Sequence, residues 1–310
     1  MTAHTATPLR SIGLMSPGDM GQAVGLRLAE LGFEVCTALE GRSARTRGLA
    51  QQAGFKDCGT LDALLERVDL VLSILDPGSA MALAQQAATA LRARPREILF
   101  ADCNALAPQT KHEMRVLIEG AGARFIDAAI IGPPPRGKGA IRLYTCGPHA
   151  PALEALAHET IRVRTVSGRI GDAAAVKMCY GAVTKGTVAL LTEMLVSARR
   201  LGVEDVLDEE LRGSQAGLRE WILKNLPSMP PKAYRWVPET EEIADTFAAC
   251  GLTPLMMQGA AQMYRGIAAT AAGAESPEQA RARGRDGAGV VAALDDPALD
   301  TVGKSAGHAA

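Results

Sequence analysis

Aromatic side chains are scarce, at 4% of the 310 residues. That is too few for a platform on which nucleic-acid bases stack. A net formal charge of -1 supplies no field to gather a polyanion or an anionic membrane surface. No unbroken apolar run reaches the roughly 18 residues a membrane-spanning helix needs. The opening "MTAHTATPLR" lacks the apolar stretch of a secretory leader, so a cytoplasmic location is expected. The six cysteines, Cys36, Cys58, Cys103, Cys146, Cys179 and Cys250, never form C-x-x-C and fall mostly in apolar stretches. They read as reduced thiols packed in a core. The five histidines show no ligand spacing, so no metal is expected. What the chain does have is a 47% hydrophobic fraction, ample for a core, over a length that fits one large or two ordinary domains.

The first half alternates between two grammars. "SIGLM", "FEVCTAL", "VDLVLSIL", "EILFADC" and "RFIDAAII" are short apolar runs. Most are separated by segments of helical period, such as Pro17 to Gly32 with Met20, Val24, Leu28 and Leu31 on one face. Apolar strands alternating with helices predict an α/β doubly wound parallel sheet of the Rossmann type, covered on both faces. Near residues 165–172 the pattern changes. One long proline-free helix over 171–201 leads further helical segments at 204–223, 238–249 and 254–269. The expected domains are a flexible N-terminus (1–9), a dinucleotide-binding domain (10–168) and an all-helical substrate and dimerisation domain (169–270). The tail over 271–310 is rich in Ala, Gly, Arg and Asp and predicts disorder.

"IGLMSPGDMGQAVG" carries the first chemical signal. Ser16 reads as an N-cap, Pro17 as the first helical residue and Asp19 as a capping-box acid. The helix start then points its free N–H groups beyond the end of the strand, which suits a pyrophosphate. Gly18 lets backbone approach a phosphate, and Gly21 lets the helix pack close to the strand. The glycines at 13, 18 and 21 depart from G-x-G-x-x-G spacing, and a well-capped helix in any α/β protein reads the same way. The ribose position past the second strand is "LEGRSARTR". Glu40 suits ribose hydroxyls. Arg42, Ser43, Arg45 and Arg47 crowd a helix start, where cations are unfavourable unless an anion is near. Their guanidinium forks suit a 2′-phosphate, so NADP is expected in preference to NAD.

In order and spacing, "IGL…GDMGQAV", "SILDP", "DCNALAP", "DAAIIGPP" and "GDAAAVKMCYGAVTKG" resemble the β-hydroxyacid dehydrogenases. That family includes 3-hydroxyisobutyrate and 6-phosphogluconate dehydrogenases, with imine reductases as a side branch. The resemblance spans about residues 10–270 and favours a branch with its own C-terminal helical domain of the DUF1932 type, marked by "MPPKAYRWVPETEEIA". It implies a phosphate turn at Gly13, Leu14 and Gly18-Asp19-Met20-Gly21, with Met15, Ser16 and Pro17 as an insertion. It puts Leu75-Asp76-Pro77 near the cofactor ribose, Asn104 where a substrate-binding Ser is usual, and Ile131-Gly132-Pro133 in the substrate loop. It makes Lys177 the catalytic lysine.

Departures bear on the substrate. Gly181 stands where the family often has Asn, with Tyr180 beside it, and Ile131 removes a polar group from the usual carboxylate pocket. Tyr180, Tyr234 and Trp236 point to a bulkier or less charged substrate, although aromatics in helical domains more often pack. Lys185, two helical turns past Lys177, reads either as a second site lysine or as a solvated one. The expected function is hydride transfer between nicotinamide and a hydroxyl/carbonyl pair on a small molecule, by a homodimer. The alternatives are an imine reductase, against which Lys177 argues, and a non-catalytic NADP-binding protein.

Overall fold

The computed structural model describes residues 9–15 and 17–301. The expected flexible N-terminus, apart from Leu9, which packs on the core, and the last nine residues of the expected tail lie outside the described residues. Two compact units divide between Met178 and Cys179.

The first unit contains β1 (Ser11–Leu14), α1 (Asp19–Glu30), β2 (Glu34–Thr37), α2 (Ala44–Gln52), β3 (Lys56–Asp57), α3 (Leu61–Arg67) and β4 (Leu70–Ser73). It continues with α4 (Pro77–Ala93), β5 (Leu99–Asp102), α5 (Pro108–Glu119), β6 (Arg124–Ile131), β7 (Ile141–Cys146) and β8 (Ile161–Ser167). One sheet runs β3-β2-β1-β4-β5-β6-β7-β8, parallel throughout except where β7 turns back along β6. The apolar strands bury both faces. Leu70 and Leu72 of β4 enter one core cluster with Ile12, Leu14 and Ile126. Val71, between them, enters the other with Phe100, Met114 and Phe125. That alternation is the two-residue pleat expressed in a strand buried on both sides. Strand order reverses between β1 and β4, so the crevice outside their carboxyl ends is the ligand position of this topology.

A single helical tract then runs through α6 (Asp172–Gly181), a π turn at Ala182–Gly186 and α7 (Thr187–Arg200). The unit boundary falls inside α6, later than the expected 168/169. The cause is that Ala173, Ala174 and Met178 are buried, Ala173 against Ala129 and Cys146 of the sheet. The second unit continues with α8 (Glu204–Ser214) and α9 (Ala216–Asn225), a break at Gln215 dividing the expected single helix. Then come α10 (Ala233–Ala249), which begins before Pro238 and contains it, and α11 (Leu255–Ala269). The segment expected to be disordered instead forms α12 (Pro277–Arg283) and α13 (Gly287–Leu294). Ser276 and Gln279 make a capping box, Asp286 caps α13, and Val290, Val291 and Leu294 are buried. Short helices with explicit caps and one apolar stripe need no long periodicity to order.

Candidate cofactor and active site

At the switch point Gly13 lies mid-strand, where an added Cβ would stand 3.3 Å from the side chains of Leu64 and Val68. Helix α1 starts at Asp19 with Gly18 as its N-cap, two residues later than the sequence predicts. Ser16, the expected cap, lies outside the described residues, and Asp19 opens the helix rather than closing a capping box. Nothing described lies within 4 Å of where a Gly18 Cβ would be. Gly25, which sequence reading passed over, is the glycine that fits helix to strand. Its Cβ would fall 2.3 Å from Phe55 Cζ and 2.5 Å from Leu14 Cδ1. Its signal was its place four residues after Gly21, one helical turn along the same face.

Two arginines converge on the first turn of α1. Arg45 Nη2 pairs with Asp19 Oδ1 at 3.0 Å. Arg136, from the Gly/Pro-rich loop after β6, donates to the Asp19 carbonyl at 3.1 Å and to Gln22 Oε1 at 2.6 Å. Arg136 was not anticipated. Ser43, expected to face a phosphate, caps α2 by accepting the Thr46 N–H at 3.2 Å. Arg47 Nε donates to the Arg42 carbonyl at 3.0 Å, which ties the first turn of α2 to the turn before it. Leu75, Asp76 and Pro77 form the turn from β4 into α4, with Asp76 as N-cap and Pro77 as first helical residue.

Beneath these turns lies a buried ionic network that sequence reading missed. Asp102 closes β5 and is the register partner of Asp127 on β6, and both are fully buried. Lys111, on the second turn of α5, is fully buried against them. Its ammonium donates to Asp102 Oδ1 at 2.5 Å, the Asp102 carbonyl at 2.7 Å and the Ala128 carbonyl at 3.1 Å, and stands 3.4 Å from Asp127 Oδ1. Burial favours the neutral amine, but the carboxylates of Asp102 and Asp127 outweigh it and hold the ammonium above its ordinary value. The legible signal was an Asp in each of two neighbouring apolar strands, which obliges a cation to be found nearby.

Asn104 belongs to this network. Its amide donates to Ser73 Oγ at 2.9 Å and Asp102 Oδ2 at 2.7 Å, and its carbonyl accepts the Leu75 N–H at 2.8 Å. With both N–H groups engaged and 4% exposure, the residue shapes the turn. The expected contact with a substrate oxygen is corrected accordingly, because both side-chain N–H donors of this buried amide are already used within the network. Among the cysteines, burial and then the Asp102 carboxylate push the Cys103 thiol up, while the ammonium charges of Lys111 and Lys177 pull it down. Burial, aided by the Asp127 carboxylate, pushes Cys146 up to about 12. Cys179 and Cys250 are exposed, unlike the core thiols expected.

Lys177 projects from α6, half-buried, and its ammonium donates to the carbonyl of Ile130 near the carboxyl end of β6. The following loop starts with buried Ile131, then Gly132 at φ 130° with the Ala140 carbonyl 2.5 Å from its Cβ position, so only glycine fits there. Pro133 is exposed. In the second unit Lys185 pairs with Glu239 at 2.6 Å, both mostly buried, beneath the indole of Trp236 at 5.7 Å. Tyr264 meets Trp236 edge-on at 5.2 Å and donates to the Lys185 carbonyl at 2.6 Å, inside the π turn. Tyr180 and Tyr234 are exposed. Among the described residues no His, Cys, Asp or Glu cluster could hold a metal ion, and no helix is long and apolar enough to cross a membrane.

The doubly wound, mostly parallel sheet followed by a helical region is the architecture of a Rossmann-type NAD(P)-binding oxidoreductase. Residues 11–157 match the model for the NAD binding domain of 6-phosphogluconate dehydrogenase, and residues 198–267 match a domain of unknown function, DUF1932. This pair of matched domains agrees with the resemblance to the β-hydroxyacid dehydrogenases and to the branch that carries this C-terminal domain. The chain is similar to the conserved protein MTH1747, of unknown function and noted for its structural similarity to 3-hydroxyacid dehydrogenases. The two share 29% identity over 89% of this chain and 99% of that one, with a TM-score of 0.61. The fold matches 3-hydroxyisobutyrate dehydrogenase of Mycobacterium tuberculosis at TM-score 0.65, with 19% identity, over 93% of this chain and 100% of that one. It also matches an imine reductase of Myxococcus stipitatus in complex with NADP+ at TM-score 0.52, with 16% identity, over 92% of this chain and 100% of that one.

Proposed function

We propose that this protein transfers hydride between NADP and a hydroxyl/carbonyl substrate, with Lys177 as the proton-transfer group. The observation that carries the reading is the Lys177 ammonium on the Ile130 carbonyl, near the carboxyl end of β6 and close enough for its charge to act on the Cys103 thiol. The residues present suit a dinucleotide: an open approach at Gly18, a helix N-terminus behind it, and arginines on the rim. When bound, nicotinamide supplies the hydride chemistry. As the neutral amine Lys177 accepts the hydroxyl proton in oxidation, and as the ammonium it returns a proton to the carbonyl oxygen in reduction, with the Ile130 carbonyl orienting the Nζ group. Gly132 keeps the substrate loop close to β7, and Ile131 gives it an apolar floor. Arg42 and Arg45 favour the 2′-phosphate of NADP. The apolar floor at Ile131 favours a substrate bulkier or less charged than 3-hydroxyisobutyrate.

A panel of hydroxy acids, alcohols and a cyclic imine, each assayed with NADP and NAD in the direction its chemistry allows, tests the reading. Lys177→Met is expected to lose about 10²–10⁴ in turnover while keeping NADPH affinity. Retention of most activity would move the active site elsewhere. Turnover of the imine alone would make the protein an imine reductase, and no redox with any member would leave a non-catalytic NADP binder.

A homodimer through the second unit is part of the proposal. Val183, Leu190, Leu252, Leu255 and Met256 are 63–75% exposed, apolar side chains that a partner subunit would cover. Light scattering that finds a monomer at micromolar concentration would remove this part.

A further inference from the structure

The buried ammonium of Lys111 connects two pieces of backbone that the proposed chemistry needs. Along one arm, Lys111 holds Asp102 Oδ1 at 2.5 Å, Asp102 Oδ2 accepts the Asn104 amide at 2.7 Å, and Asn104 Oδ1 accepts the Leu75 N–H at 2.8 Å. That arm ends on the turn expected at the cofactor. Along the other, Lys111 faces Asp127 Oδ1 at 3.4 Å, and Asp127 Oδ2 accepts the N–H groups of Gly171 at 3.0 Å and Ala174 at 3.3 Å. That arm ends on the first turn of α6, the helix that carries Lys177. Asp127 thus serves as a buried anionic cap for α6, in the position where a negative charge is favoured.

All three ammonium protons of Lys111 have acceptors, and three polar groups (the Ser73 hydroxyl and the Asn104 amide and backbone N–H) donate to Asp102. Asp102 and Asp127 sit opposite one another on adjacent strands, where like charges repel. Without the cation one carboxylate would have to take up a proton or swing away, and it would release its arm. Packing alone does not require this arrangement, since apolar residues of similar volume often replace a buried ion triad without loss of stability.

We infer that Lys111 is a positioning residue: through Asp102–Asn104 it sets the cofactor turn at Leu75, and through Asp127 it sets the helix that presents Lys177. The inference rests on the proposed cofactor-dependent function, and titration of the unmodified protein with NADPH, followed by nicotinamide fluorescence, separates the two. No NADPH binding there overturns the functional reading and this inference with it.

Given binding, the arms separate in two readouts: NADPH affinity and local amide exchange by mass spectrometry. Asn104→Ala is expected to weaken NADPH about five- to tenfold, the loss of one hydrogen bond that holds the turn. It should speed exchange in 73–77 and leave 171–178 unchanged. Asp127→Asn should speed exchange in 171–178 and leave NADPH affinity within twofold. Lys111→Met is expected to do both. If that variant does not fold, the charge-compensated pair Lys111→Met with Asp102→Asn removes one buried charge of each sign and carries the test. A merely structural lysine would lower global stability without moving NADPH affinity in the folded protein. NADPH affinity within twofold of the unmodified protein in both the Lys111 variant that folds and Asn104→Ala would overturn the inference, as would parallel changes in both arms for each single-arm variant.

Discussion

Two glycines of α1 make opposite demands, and substituting each by alanine separates folding from cofactor binding. At Gly25 an alanine methyl would lie 2.3 Å from Phe55 Cζ, 2.5 Å from Leu14 Cδ1 and 2.9 Å from Phe55 Cε1. Ordinary contacts begin near 3.4 Å, so the helix must back away from the sheet by about 1 Å or the two side chains must leave their rotamers. Phe55, 8% exposed, has some room, but Leu14 is fully buried in β1. Overpacking of this kind costs about 1–3 kcal/mol, and the fixed strand neighbour puts it in the upper half. Alanine returns about 0.8–1 kcal/mol of helix propensity. A net loss of about 1–2 kcal/mol is expected, read as a lower urea midpoint by circular dichroism. At Gly18 the backbone is φ -74°, ψ -167°, which any residue adopts, and nothing described lies within 4 Å of the new methyl. Gly18→Ala should therefore cost only the roughly 0.5–1 kcal/mol of putting alanine at an N-cap. A dinucleotide phosphate, however, must approach that backbone. NADPH affinity should fall at least about tenfold, or ~1.4 kcal/mol. Unchanged stability in Gly25→Ala would refute the close-packing argument, and unchanged NADPH affinity in Gly18→Ala would refute the cradle.

Cofactor choice is testable at the rim: Arg42→Ala should weaken NADP by about 1.5–3 kcal/mol, the range of a charge-assisted contact, and leave NAD nearly untouched. Tighter binding of NAD than NADP by the unmodified protein would contradict this. Acid stability has its own signature. Burial raises the Asp69 carboxyl, but the N–H groups of Arg10 and Ser11 and the Ser11 hydroxyl outweigh it and hold the group below its ordinary 3.8. The Ser167 hydroxyl, then Arg169, hold Asp172 down in the same way. Both groups take up protons more readily in the unfolded chain. Their contribution is full well above pH 3.8 and fades as pH falls through that value toward the lower folded ones. Asp69→Asn should flatten the acid limb of a stability-against-pH curve, and an unchanged limb would show that this network does not couple to folding.

Much of the architecture was legible in local pattern alone. Apolar runs that alternate with helical period force a sheet buried on both faces, because each run is too apolar to leave a face in water. Local pattern also put residues 13–21 at a strand-to-helix turn, Leu75 at the turn into α4, Gly132 in the loop after β6 and Lys177 on a helix, since each depends on neighbours a few residues away. Local pattern misjudged the tail, where a capping box and a five-residue apolar run sufficed to build α12 and α13. The tertiary structure alone decided which polar residues meet. Asp102 and Asp127 lie 25 positions apart yet face one another, because parallel pairing of β5 with β6 sets their register. Lys111 reaches them only because α5 packs back across those strands. The same contacts turned Asn104 inward, away from the substrate contact its motif suggested, and brought Arg136 to α1 across more than a hundred residues. Secondary structure answers to spacings of two and four residues, which a sequence displays directly. Charge pairing in a core answers to distances between elements, which exist only once the chain has closed on itself.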